Sequence, residues 1–135
     1  MTLFILDINK KLKKAIFIYI FLTVFAIVFD RIYAVFSHGV SSTSMNFMFL
    51  FPLVGGAIHY LVLGLFLGKF NYEDFRFTFN IYNSGIAMVT VNSLLHGILE
   101  IAGTSSPYLS WFNIFGWSII LIGFFITFFK IVFNK

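Results

Sequence analysis

Asn92, His96 and Glu100 recur at four-residue intervals in a stretch, Asn92 to Glu100, that otherwise carries mainly apolar side chains. A helix turns about 100° per residue, so this spacing stacks an amide, an imidazole and a carboxyl along one side. Gly85 and Ser93 share that arc. The opposite arc holds Ala87, Met88, Val91, Leu94, Leu95, Ile98, Leu99 and Ala102, side chains that lipid accepts without an unpaired donor or acceptor. One face is expected to meet lipid and the other protein. Ionisable groups in a low dielectric favour their neutral form unless a partner stabilises the charge, which links protonation to hydration. Glu100 also sits near the negative end of its helix dipole, a position that favours a proton, an arginine or a cation beside it.

Three more polar positions can join this set. Asp30 shares a helical face with Tyr19, Thr23, Ala26 and Ser37, and is expected to point inward. Arg31 lies about 100° away and can snorkel or act as counter-charge. His59 lies on a face with Pro52, Gly55 and Gly56. At about 1.5 Å per residue, Asp30, Arg31 and His96 share a depth, Glu100 lies above them, Asn92 deeper, and His59 near the midplane. The candidate ligand- or proton-binding residues are therefore Asp30, Arg31, His59, Asn92, His96 and Glu100, arranged as a pocket that opens outward and closes inward. The bland alternative has Arg31 paired with Glu100 or Asp30, and the histidines and Asn92 joining helices by hydrogen bonds.

Other chemistries are less well supported. His96 and Glu100 could ligate one ion with His59 or Asp30 as a third ligand, but the depth of His59 counts against this, and no metal site is assigned. A haem held by His59 and His96 meets the same objection, a depth difference of roughly 10 Å, so no cofactor is assigned. The absence of Cys excludes disulfides, thiolate chemistry and iron–sulfur clusters. No HExxH, nucleophilic triad or phosphate-binding glycine loop can be assembled, so no catalytic residue is named and an enzyme is disfavoured.

The elements that must position these residues follow from composition. The 135 residues are 60% hydrophobic and 10% charged, against about 25% charged in a soluble domain. This assigns an all-α integral membrane protein, read as a single four-span domain over residues 1–135. The spans are expected at about 15–36, 47–68, 79–101 and 108–129, each near the roughly 20 residues that cross a bilayer. Leu3 to Leu12 reads as a short amphipathic interfacial helix ending in Lys10, Lys11, Lys13 and Lys14, and the apolar run after it as an uncleaved anchor. Residues 37–46 and 103–107 read as outer loops, and 69–78, with its mixed charges and aromatics, as an inner one.

All lysines and arginines except Arg31 fall at the two termini or in the 69–78 stretch. The positive-inside rule then places both termini in the cytoplasm of a multi-pass cell-membrane protein. The net charge of +4 reports topology here, and no nucleic-acid partner is expected. The lipid bilayer is the expected partner. Ala57, Gly64 and Gly68, opposite His59, offer a small-residue face for a second protomer or an unrelated membrane subunit. In size and hydropathy the chain resembles small four-helix transporters and channels. It departs from small multidrug exporters, whose essential Glu lies mid-helix in the first span, since the nearest carboxylate here is Asp30 towards the outer end, followed by Arg31. The expected function is transport-related, the binding of a proton, ion or small polar solute in the outward pocket. The alternative is a non-catalytic subunit of a larger membrane complex.

Overall fold

A computed structural model describes residues 10–67 and 72–133. Helix α1 spans Lys10–Phe36, a one-turn helix α2 spans Thr43–Asn46, a π-helical segment over Phe51–Ile58 runs into α3 at His59–Leu67, α4 spans Tyr72–Ala102, and α5 spans Tyr108–Phe133. Among the described residues, four stretches are long and apolar enough to cross a bilayer: Lys10–Phe36, Thr43–Leu65, Asp74–Ala102 and Tyr108–Phe133. The protein is thus an all-helical, multi-pass membrane bundle. The expected interfacial helix at Leu3 to Leu12 falls mostly outside the described residues, and Lys10 to Lys14 form the first turns of α1 itself.

Two boundaries differ from expectation. The charged and aromatic stretch expected as a loop is helical from Tyr72 onward, so Asp74 and Arg76 ride on the first turns of α4. Tyr72 to Thr78 contains neither Gly nor Pro. The first turn is also tied to α5, for Lys130 Nζ in the last turn of that helix donates to the Asp74 carbonyl at 2.9 Å and sits 5.7 Å from the centre of the Phe75 ring. The second span, expected as one regular helix, instead begins at the α2 turn and passes through a π-helical segment. Pro52 lacks an N–H, so the regular hydrogen-bond ladder is interrupted where that segment starts. The wider winding suits a partner from another helix: the Tyr82 hydroxyl donates to the Gly55 carbonyl at 2.6 Å.

The helices turn a regular face inward. In α1 the buried positions are Leu12, Tyr19, Thr23, Ala26 and Asp30, and in α5 they are Gly116, Ile120, Gly123 and Thr127, both at the three-, four- and seven-residue intervals of one helical stripe. Between them Tyr60 and Phe79 are completely buried, their rings 5.3 Å apart and edge-on, with Tyr19 stacked on Tyr60 at 5.7 Å. None of the eight α4 residues expected to face lipid is buried. Large apolar side chains such as Phe17, Phe128 and Ile122 stand outward, as a lipid solvent permits.

Because lipid tails are as apolar as leucine, close packing and hydrogen bonding hold such a bundle together more than burial does. Thr78 isolates the hydrogen-bond part. Thr23, Thr90 and Thr127 each donate to the carbonyl four residues earlier, whereas the fully buried Thr78 hydroxyl has no partner among the described residues. A buried unsatisfied hydroxyl costs about 1–3 kcal/mol. Thr78→Val keeps the shape and removes that polar atom, so it should raise thermal stability in detergent by about 1 kcal/mol, while Thr127→Val, which breaks a made bond, should not.

Candidate functional site

The polar residues at one end of the bundle are organised by the segment Ser42 to Asn46. Ser42 caps α2, its Oγ accepting from the Met45 N–H at 3.3 Å. The same hydroxyl donates to Glu100 Oε2. Ser44 Oγ lies 3.1 Å from Glu100 Oε1 and 3.0 Å from His96 Nδ1, and its carbonyl accepts from the Ser93 hydroxyl at 2.6 Å. His96 Nδ1 lies 3.0 Å from Glu100 Oε1, as expected of residues four apart on a helix. Met45 is buried against Gly97, where an added Cβ would come within 2.7 Å of the Met45 Cβ. Only a glycine lets the loop lie this close to α4.

The other edge of the same turn holds Asp30. With its amide oriented to donate, Asn46 reaches Asp30 Oδ1 at 3.0 Å and Oδ2 at 3.2 Å, the orientation that satisfies both groups. Asp30 is buried, as its helical face implies. One short turn therefore bridges a carboxylate on α1 to a carboxylate–imidazole pair on α4.

The six residues singled out by sequence do not form one cluster. His96 and Glu100 are together, with side chains 51% and 39% exposed, so the pair is reachable and not enclosed. Asp30 is held apart by Asn46. Arg31 is exposed and, among the described residues, forms no ion pair with Asp30 or Glu100. Asn92 is buried, its Oδ1 without a partner among the described residues. His59 stacks on Tyr82 at 4.3 Å between ring centres and meets Tyr60 edge-on at 5.5 Å. Tyr82 and His96 are fourteen residues apart on α4, about 21 Å along the axis, so His59 and His96 belong to different sites. Among the described residues, no three His, Asp or Glu side chains gather as a metal-binding group.

The residues missed were Ser42, Ser44 and Asn46, which the sequence presents as loop. Their signal was the alternation Ser42, Ser44, Asn46 and the capping serine three residues before Met45. Tyr60 was missed as well: with Tyr19 it donates to Asn83 Oδ1, at 2.5 and 2.6 Å, deeper in the bundle.

A Ser–His–acid relay needs the serine and the carboxylate on opposite ring nitrogens. Here Ser44 and Glu100 both approach Nδ1, so the geometry does not support serine activation. What it supports is a carboxylate and an imidazole that exchange protons or hold a small polar or cationic guest beneath a serine-rich turn.

A second feature lies along the flank of the bundle. A groove of about 780 Å³ runs between α1 and α4, with Lys11, Lys14 and Arg76 at one end, Tyr19 and Asn83 midway and Leu94 towards the other. None of the six sequence candidates lines it. Ala57 and Gly64 are buried within the chain itself, so they are not the open docking face that their spacing suggested, and Gly68 lies outside the described residues.

Neither the curated proteins nor the solved structures contain a match to this chain. A family model does match, over residues 9–135, and the chain belongs to the family described as Protein of unknown function (DUF2871).

Proposed function

We propose that this is a transport-related protein of the cell membrane, with both termini cytoplasmic, in which His96 and Glu100 bind a proton, a cation or a small polar solute at the outer surface. The observation that carries the proposal is the surround of Glu100: two serine hydroxyls and an imidazole converge on a carboxylate that remains 39% exposed. A purely structural ion pair would place an arginine there, and Arg31 is not engaged. A site confined to one end, with aromatic packing around His59 below it, fits an outer binding site better than a continuous pore.

The test is an acid pulse applied to liposomes that contain the purified protein and an internal pH dye. Acidification of the lumen by the wild type, abolished by Glu100→Gln, supports the proposal. Equal acidification by both would sink it. A stoichiometric unrelated membrane protein co-purifying in mild detergent would instead favour an assembly subunit. Topology is read by an impermeant thiol reagent on Ser41→Cys and Ser105→Cys, both exposed, whereas Ser42 is buried and unsuitable. Both sites should label from outside the cell, and labelling only after permeabilisation reverses the orientation.

A further inference from the structure

We propose that the groove between α1 and α4 binds an anionic phospholipid, with the headgroup phosphate at Lys11, Lys14 and Arg76 and an acyl chain lying along the groove. This goes beyond the outer site, with which the groove shares no candidate residue. Three cations from two different helices converge on one mouth. The walls beyond them are apolar, with Ile18, Leu22 and Phe25 from α1 facing Ile86, Ala87 and Val91 from α4. Charge at one end and hydrocarbon along the rest is the complement of an amphiphilic anion, and a zwitterionic lipid would bring its own cation into that mouth.

The dimensions agree with this occupant. Along α1 the lining runs from Lys11 to Phe29, eighteen residues or about 27 Å, so the stretch beyond the cations exceeds the roughly 15 Å of one leaflet and has room for a full acyl chain. The cations therefore stand at headgroup level while the apolar walls stand at chain level. A volume of about 780 Å³ also lies within the roughly 300–1,000 Å³ typical of ligand sites. Tyr19 and Asn83, midway along, are tied to each other by a hydrogen bond. Eight residues, about 12 Å, separate Tyr19 from Lys11 along α1, so this pair stands at acyl-chain depth with its polar atoms turned to each other.

The experiment is native mass spectrometry of the full chain released from nanodiscs containing equal amounts of phosphatidylglycerol and phosphatidylcholine. The wild type should retain phosphatidylglycerol preferentially. Each neutralisation, Lys11→Gln, Lys14→Gln or Arg76→Gln, should lower that preference about five-fold, the effect of one basic residue near an anionic surface. Arg31→Gln, at the other end of α1, should leave it unchanged. Ala87→Phe fills the groove and keeps every cation, so it should lower retention of both lipids. Equal retention of the two lipids by the wild type overturns the proposal, as does a preference that survives the single lysine and arginine variants. Retention unchanged in Ala87→Phe overturns the chain assignment and reduces the effect to surface charge. Thermal melting of each variant confirms folding, and the single variants carry the result whether or not their combination folds.

Discussion

Gly123→Val should lower the thermal stability of the detergent-solubilised protein by about 1–3 kcal/mol, the usual cost of overpacking, and among single side-chain additions its effect should be one of the largest. A Cβ at Gly123 would lie 2.9 Å from both the Cα and the N of Tyr82 and 3.0 Å from its Cβ. Those are backbone neighbours in the middle of α4, and they cannot swing aside as the end of a flexible side chain can. The two helices must separate, and separation loosens Tyr82, whose hydroxyl holds the Gly55 carbonyl and whose ring stacks on His59. Alanine should do less harm, because its better helix propensity returns up to about 1 kcal/mol. The control is Ile122→Ala, one position away and facing lipid, which removes more atoms but only exchanges lipid contacts and should change little. A melting temperature for Gly123→Val equal to that of Ile122→Ala would refute this account of the α4–α5 contact.

That contact shows how far the sequence could be read. Hydropathy found four spans because a bilayer demands long apolar helices, and the helical wheel of α4 kept eight apolar residues out of the core and Gly85, Asn92 and Ser93 in it, although His96 and Glu100 on the same expected inner face stay exposed. The same wheel placed Asp30 inward. Partner choice was another matter. Gly116 and Gly123 stand seven residues apart on α5, as good a small-residue stripe as Gly64 and Gly68, and nothing in a single helix says which stripe meets a helix of the same chain. The π-helical segment at Pro52 was equally hidden, since a proline signals an interrupted ladder but not its winding, and the Tyr82 hydroxyl that meets the Gly55 carbonyl comes from another helix.

Depth estimates failed for a related reason. Asp30, His96 and Glu100 do lie towards one end, but similar depth is not contact, and the turn between the first two spans comes between them. A loop of serines and asparagine reads as solvated in a sequence. Here it supplies the donors that buried or half-buried carboxylates need, and the length of the loop, ten residues at most, is what makes it fold back over α4.

The arrangement of that turn leads to the second large effect. Gly97→Val and Glu100→Ala should each release the segment Ser42 to Asn46 from α4, the first by steric exclusion and the second by removing its anchor. At Gly97 the new side chain would meet Met45 Cβ at 2.7 Å, the Met45 N at 3.2 Å and Ser42 Oγ at 3.2 Å, so the capping serine and the buried methionine are displaced together. At Glu100 the loss leaves Ser42 and Ser44 without their acceptor, about 1.5–3 kcal/mol for a hydrogen bond to a charged group. Docking is read by the reactivity of Met45→Cys towards an impermeant thiol reagent, because position 45 is buried only while the turn is docked. In that background either substitution should accelerate labelling at least about tenfold, the effect of roughly 1.4 kcal/mol on an opening equilibrium. Combining them should add little, since both break one contact and the coupling of neighbouring sites is not additive. Arg31→Gln, by contrast, should neither accelerate labelling nor rescue Glu100→Ala, because the guanidinium is not Glu100's partner. Rescue by Arg31→Gln would restore the simple ion pair and remove the serine turn from the site.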